Sequence, residues 1–269
     1  MPDSRQIGVF DSGMGGLTVL SELVQKLPGE TFLYLGDTAR IPYGSRSPRT
    51  VKRYSMEIAS FLEQHDIKML VVACNTATAH ALPDLTARMN VPVIGVIEPG
   101  VRALLSATQS GKVGVIGTRS TIKSAAYETE IHKIDSSVKV VSQACPLFVP
   151  IVEEGWMNKE FTRLAVREYL GPLHDQGVDA VVLGCTHYPL IRHAIALEFP
   201  EFKLIDSSVE MAGAVSAAVH ATGIASAGKG SVRIMVTDVT EQLSSLQDLF
   251  FPHPVAAVDE ILLPEISAG

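Results

Sequence analysis

Short runs of branched apolar residues alternate along this chain with longer amphipathic segments. The apolar runs predict buried strands, whereas the segments at 48–65 and 158–176 have the apolar spacing of helices. The predicted strands lie at 7–10, 31–36, 69–74, 91–96, 112–117, 138–143, 180–185, 202–207 and 231–238. Strands separated by helix-length segments indicate an α/β fold with mainly parallel sheets that are covered on both faces.

Three of these runs recur in the same order further along the chain. The runs near residues 7, 69 and 92 resemble those near 113, 180 and 202, at offsets of about 106 to 111 residues. The repeat predicts two similar α/β lobes that are related by a pseudo-twofold axis, with the active site between them. The segment from 211 onward has no counterpart and is expected to extend the first sheet. We therefore assign 1–97 with 211–269 to the first lobe and 98–210 to the second.

Two of the three cysteines stand at matching places in this repeat. Cys74 ends the run in VVACNTATA (71–79), and Cys185 ends the run in VVLGCTHYP (181–189). Asn75 and Thr186 follow directly, and both are residue types that cap helices. A helix that begins there would favour the thiolate over the thiol. Free cysteines are commonly core residues, but the repeat and the polar residues that follow favour a pair of functional thiols.

Four kinds of chemistry would use two facing thiols. A disulfide is disfavoured in a reducing compartment, and a metal site needs more ligands than two thiols and His187. Thiol redox exchange usually places its cysteines close together in sequence. Proton transfer by two bases, in which one thiolate removes a proton and the opposite thiol returns one, also accounts for the pseudo-symmetry. We therefore predict no metal site.

Further candidates lie at other predicted strand ends of the first lobe. In FDSGMGGLT (10–18), Asp11 and Ser12 begin a glycine-rich turn that either binds a small anion or simply caps the next helix. Asp11 would hold a substrate ammonium group or act as a base near Cys74. The loop at 36–47 offers Tyr43, Gly44 and Ser45 as donors.

The second lobe has matching candidates. Thr118 and Thr121, in GTRSTI (117–122), would hydrogen-bond a carboxylate. His187 follows Cys185 by two positions and would orient or deprotonate that thiol. Glu153 or its neighbour Glu154 would support His187. Cys145 precedes a proline, and we interpret it as structural.

Composition narrows the function classes without choosing one. Of the 269 residues, 46% are hydrophobic and 19% are charged, which is typical of a globular protein. A net charge of −7 argues against a nucleic-acid-binding surface. No apolar run approaches the ~20 residues of a transmembrane helix, and the N-terminal region lacks a long apolar signal segment. A cytoplasmic protein is the expectation.

The motifs together resemble those of the glutamate racemases, which use no cofactor. The resemblance rests on FDSGMGGLTVL, YLGDTARIPYG, VVACNTATA, PVIGVIEPG, ACPLFVP and LGCTHYPLI, in order between residues 8 and about 208. It implies that Cys74 and Cys185 are the acid/base thiols, assisted by Asp11 and by His187 with Glu153. It further implies substrate binding by Asp11, Ser12, Tyr43, Gly44, Asn75, Thr76, Thr186 and His187. A homodimer that supplies D-glutamate for peptidoglycan is also implied.

Two alternatives stay open at this point. The first is a relative of the same superfamily that acts on aspartate or a similar diacid. The second is a non-enzymatic binding protein whose two α/β lobes close on a carboxylate ligand.

Overall fold

Two parallel β-sheets form the framework of the protein. The computed structural model describes residues 2–239, 243–255 and 258–263, and the side chains of all of these except 243–245. The strands are β1 Ile7–Asp11, β2 Thr31–Gly36, β3 Met69–Val72, β4 Val93–Gly95, β5 Lys112–Gly117, β6 Lys139–Ala144, β7 Ala180–Gly184, β8 Lys203–Asp206, β9 Ser231–Val236 and β10 Val258–Glu260. Each predicted run contains a strand, and β10 is a strand that the sequence pattern did not predict.

The two sheets confirm the internal repeat. The first sheet has the strand order β10-β9-β2-β1-β3-β4, and the second has the order β6-β5-β7-β8. The inner part of the first sheet, β2-β1-β3-β4, thus has the same order as the whole second sheet, with β1 matching β5 and β3 matching β7. All of the recorded strand pairs are parallel. The carboxyl ends of β3 and β7, after which Cys74 and Cys185 follow, are therefore equivalent positions.

Helices cover the faces of both sheets. They are α1 Leu17–Lys26, α2 Pro48–Glu63, α3 Asn75–Arg88, α4 Ile97–Ala107, α5 Arg119–Lys123, α6 Ala126–Ile134, α7 Phe148–Glu153, α8 Glu160–Asp175, α9 Arg192–Glu198, α10 Ser207–Ala221 and α11 Leu243–Phe250. Along β3, Met69 and Val71 enter one apolar cluster while Leu70 and Val72 enter another. Because successive side chains of a strand point to opposite faces, a sheet covered on both faces requires such an unbroken apolar run.

The C-terminal segment extends the first sheet, as predicted. β9 pairs with β2 along its whole length, and β10 pairs with β9. The lobe boundaries themselves stay a prediction. The one at 97–98 lies at the start of α4, and the one at 210–211 lies within the first turn of α10. Within the described residues, no helix is both long and apolar enough to cross a membrane.

A buried ion pair lies at the amino-terminal ends of β2 and β3 in the first sheet. Nζ of Lys68 lies 2.6 Å from Oε2 of Glu30, and both side chains are almost completely buried. The same ammonium group donates to the carbonyl oxygens of Asp3 and Ile224, and the amide of Ser226 donates to Oε1 of Glu30. The pair therefore ties the start of β3 to the N-terminal segment and to the connection between α10 and β9.

We expect Glu30→Ala to lower the free energy of unfolding by about 3–5 kcal/mol, because it leaves a buried ammonium group without its counter-charge. Asp84→Ala is the control, since it removes an exposed ion pair with Lys52 (Nζ to Oδ2, 2.9 Å) that contributes at most about 1 kcal/mol. Urea denaturation measures both. Equal losses of unfolding free energy in the two variants would contradict the larger contribution expected of the buried pair.

Candidate active site

Residues from both sheets enclose one cavity of about 350 Å³ at the carboxyl ends of the strands. This is where parallel α/β sheets usually bind ligands. The predicted site residues that line it are Ser12, Tyr43, Gly44, Ser45, Cys74, Asn75, Thr76, Thr118, Glu153, Cys185, Thr186 and His187. Asp11 and Thr121 are buried behind this lining.

Cys74 is the N-cap of α3. Its Sγ accepts a hydrogen bond from the amide of Ala77 at 3.4 Å, and its thiol donates to Oγ of Ser12 at 3.5 Å. The sequence pattern suggested Asn75 as the cap, but Asn75 is the first residue of the helix. Burial, reinforced by the negative charge of Asp11, raises the pKa of Cys74 to about 12, although its hydrogen bonds with Ser12 and Ala77 act in the opposite direction. Near neutral pH, Cys74 is therefore a thiol.

Asp11 is a buried carboxyl group at the end of β1. Its Oδ2 accepts from the amide of Gly13 at 3.0 Å, and its Oδ1 has no hydrogen-bond partner among the described residues. Burial raises its pKa, although the positive charge of His187 and hydrogen bonds from the glycine-rich turn act in the opposite direction. A buried carboxyl group with a raised pKa and a free oxygen is suited to take up a proton.

Cys185 has different neighbours from Cys74. Nδ1 of His187 lies 3.9 Å from Sγ of Cys185, and Nε2 of the same ring lies 3.2 Å from Oε1 of Glu153. Burial disfavours a charged imidazole, but hydrogen bonds and charges of Cys185 and Glu153 outweigh this and raise the pKa of His187 to about 10. An imidazolium beside a cysteine stabilises the thiolate. Glu153 is therefore the glutamate in contact with His187, and Glu154 is exposed.

The chain does not enter an α-helix directly after Cys185. A short 3₁₀ helix, Tyr188–Ile191, follows instead, and α9 begins only at Arg192. Pro189 lies at its start, where its missing N–H and fixed φ are tolerated. Cys185 therefore lacks the helix N-terminus that Cys74 has, and its neighbouring cation is His187.

Polar side chains connect the two lobes beside the thiols. The hydroxyl of Tyr127, in α6, donates to Oδ1 of Asn75 at 2.6 Å. This bond leaves Nδ2 of Asn75 as a buried donor with no partner among the described residues. The hydroxyls of Thr76, Thr118 and Thr121 lie 3.0 Å from one another. Thr121 thus orients two hydroxyls of the cavity wall without lining the cavity itself.

The loop after β2 is fixed by buried charges. Asp37 is completely buried and accepts hydrogen bonds from the hydroxyl of Tyr43, from Nε of Arg40 and from the hydroxyl of Thr237. These bonds fix Tyr43 at the cavity wall. The next residue, Gly44, approaches Thr118 of the other lobe so closely that a Cβ there would lie 2.7 Å from the Cβ of Thr118. Only glycine allows this approach of the loop.

Several residues that line the cavity were missed by the sequence analysis. Arg119 stands directly beside the predicted Thr118, and Pro146, Val149 and Pro150 belong to the quoted ACPLFVP stretch. These four residues therefore lie within or next to stretches that the sequence analysis had already singled out. Leu246, in α11, also lines the cavity, and no local pattern in the C-terminal segment pointed to it.

A family model described as Asp/Glu/hydantoin racemase matches residues 7–222. The chain belongs to this family. It is 56% identical over 213 residues to the glutamate racemase of Geobacter metallireducens, which covers 79% of each chain. The solved structure of glutamate racemase isoform RacE1 from Bacillus anthracis superposes with a TM-score of 0.93 at 39% identity, covering 97% of this chain and 98% of that one.

A second solved structure was determined with a ligand. Glutamate racemase from Francisella tularensis, in complex with D-glutamate, has a TM-score of 0.93 and 36% identity, and the match covers 98% of this chain and 100% of that chain. The fold and the family membership predicted from the motifs are therefore confirmed.

The different surroundings of the two thiols predict different reactivities. Near neutral pH, we expect iodoacetamide to alkylate Cys185 at least about tenfold faster than Cys74, because the thiolate is the reactive form. The rate at Cys74 should rise by about tenfold per pH unit as the pH approaches about 12. Mass spectrometry of peptides separates the two sites, and the fully buried Cys145 is the internal reference.

His187→Asn is the matched variant for this measurement. The substitution should slow alkylation of Cys185 to about the rate at Cys74. The alkylation rate of Cys74 itself should change by less than about twofold. A variant that retains the fast reaction at Cys185 would show that His187 does not stabilise the thiolate.

Proposed function

We propose that this chain interconverts L-glutamate and D-glutamate without a cofactor, by two-base proton transfer between Cys74 and Cys185. One observation carries the proposal, namely that two cysteines at equivalent strand ends of two similar sheets border the same cavity. Glutamate racemases of the same family, one of them solved with D-glutamate, support the choice of substrate.

The reaction moves one proton off the α-carbon and another onto its opposite face. A thiolate takes the α-proton, so that the Cα–H bond breaks, an S–H bond forms and the electron pair stays on the substrate as a carbanion. The opposite thiol then protonates this carbanion and becomes the thiolate. A well-placed acid or base contributes typically ~10²–10⁴-fold, so positioning and electrostatic stabilisation of the carbanion must supply the remainder.

Each thiol has its own assisting groups. His187, held by Glu153, stabilises the charged form of Cys185 and shares its proton. On the other side, Asp11 takes up the proton that Cys74 must lose before it acts as a base. Its raised pKa and unpartnered Oδ1 support this role.

The remaining polar groups bind the substrate. Nδ2 of Asn75 and the threonine hydroxyls donate to carboxylate oxygens, and Thr121 acts by orienting two of those hydroxyls. The residues assigned to direct substrate binding are Ser12, Tyr43, Gly44, Ser45, Asn75, Thr76, Thr118, Thr186 and His187, and Asp11 and Thr121 act from behind this lining. Contacts that stay in place while the α-carbon inverts allow one site to accept both enantiomers.

The family resemblance also supports a proposal for the cellular location, oligomeric state and physiological role of the protein. We assign the protein to the cytoplasm as a homodimer, where its D-glutamate would enter peptidoglycan synthesis. Binding of a nucleic acid as a main function remains disfavoured by the net charge of −7.

Incorporation of solvent deuterium tests the reaction directly. In D₂O, the protein should introduce deuterium at the α-carbon while it converts either enantiomer of glutamate into the other. Cys74→Ser and Cys185→Ser should each slow racemisation by at least about 10²-fold, because each removes one acid/base group. Racemisation and exchange are followed by circular dichroism and NMR.

The same assay separates the two alternatives. Much faster turnover of aspartate than of glutamate would assign the chain to a different diacid. Binding of glutamate without any exchange, and unaffected by either serine variant, would indicate a binding protein and overturn the proposal.

Tyr127→Phe tests how Asn75 is oriented. Loss of the hydroxyl leaves Oδ1 of Asn75 without its donor and allows the amide to rotate, so KM for glutamate should rise by about fivefold, with a smaller change in kcat. Steady-state kinetics in both directions measure the effect, and thermal melting checks the fold. An unchanged KM in a folded variant would contradict the role of Tyr127.

A further inference from the structure

The C-terminal helix reaches the catalytic histidine. Phe250, the last residue of α11, is 2% exposed. Its ring meets the ring of His187 edge-on, with 5.0 Å between the centroids and an interplanar angle of 75°. One turn earlier, Leu246 lines the cavity that also contains His187. The C-terminal segment therefore forms part of the surroundings of the site.

Other residues contact the remaining atoms of the His187 ring. Glu153 accepts at Nε2, and Cys185 lies beside Nδ1. From the first lobe, Gly15 approaches so closely that a Cβ there would lie 2.4 Å from Cε1 and Nδ1. Oγ1 of Thr186 also lies 3.5 Å from Nδ1. Phe250 adds an apolar contact to these polar ones.

α11 is itself anchored on the first lobe. It packs against α1, and Nε2 of His253, just beyond the helix, lies 2.9 Å from Oγ of Ser21 in α1. His187 belongs to the second lobe, so the Phe250 ring fixes it against a helix of the first lobe. A displacement of α11 would remove this contact.

We propose that Phe250 is a positioning residue, which holds the imidazole of His187 in line between Cys185 and Glu153. The proposal rests on the proposed racemisation and assigns a role in it to a segment outside residues 7–222, the part that the family model matches. Edge-to-face aromatic pairs prefer this geometry, so the Phe250 ring restricts the tilt of the imidazole.

The contact should affect mainly the proton transfer at Cys185. His187 assists Cys185, whereas Cys74 lies beside Asp11. Because the two enantiomers have equal free energies, kcat/KM must fall equally in both directions. The primary isotope effect of α-deuterated substrate is not bound by this equality, because it reports how far removal of the deuteron limits the rate in each direction. It should rise where Cys185 removes the deuteron and fall where Cys74 does so.

Phe250→Leu and the matched control Phe251→Leu test the proposal. Phe251 is equally buried and adjacent, but its ring contacts His253. We expect Phe250→Leu to lower kcat/KM by about threefold to tenfold and to move the isotope effects of the two directions apart. Phe251→Leu should cause a similar loss in Tm but leave kcat/KM within about twofold and the isotope effects unchanged.

Either of two results would overturn the proposal. One is equal kinetics for the two variants, and the other is a loss of activity in Phe250→Leu with isotope effects that match those of the unmodified protein in each direction. If Phe250→Leu does not fold, Phe250→Met replaces it, because methionine fills a similar volume without an aromatic edge. Failure of the proposed function has a separate signature, since the unmodified protein would then not racemise glutamate at all.

Discussion

The proposed chemistry depends on the position of two cysteines at the carboxyl ends of equivalent parallel strands. β3 and β7 have the same place in their sheets, and each continues into a cysteine at the edge of the shared cavity. Strands buried on both faces are rigid supports, so the chain can hold two sulfurs in fixed positions. Nothing in local propensity requires a thiol there. The proposed chemistry on two faces of one carbon atom accounts for it.

The symmetry of the backbone does not extend to the electrostatics. Cys74 caps a helix, contacts Ser12 and lies near the buried carboxyl group of Asp11, and its pKa is raised to about 12. Cys185 has no such helix and lies beside an imidazole whose pKa is raised to about 10. Proton transfer across a substrate requires an acid on one side and a base on the other, and these unlike neighbours suit that division. The pseudo-twofold fold thus supplies the geometry, and unlike neighbours supply the difference in protonation.

Much of this arrangement could be predicted from short-range patterns. Branched apolar runs identified the strands, and the repeat paired Cys74 with Cys185. The sequence left open which of two adjacent glutamates contacts His187, and the structure shows Glu153 in contact and Glu154 exposed. Thr121 was predicted as a ligand but lies behind Thr76 and Thr118, because helix geometry rather than sequence spacing decides which hydroxyl faces the cavity. Leu246 and Phe250 reach the site only through the packing of α11 on α1, a contact between distant parts of the chain that no local signal encodes.

The most direct test of the central claim is a crystal structure of the protein with glutamate bound. The account predicts that Sγ of Cys74 and Sγ of Cys185 lie on opposite faces of the α-carbon, each within about 4 Å of it. The result that would contradict the account is a substrate with both sulfurs on one face, or with either sulfur too far away for proton transfer.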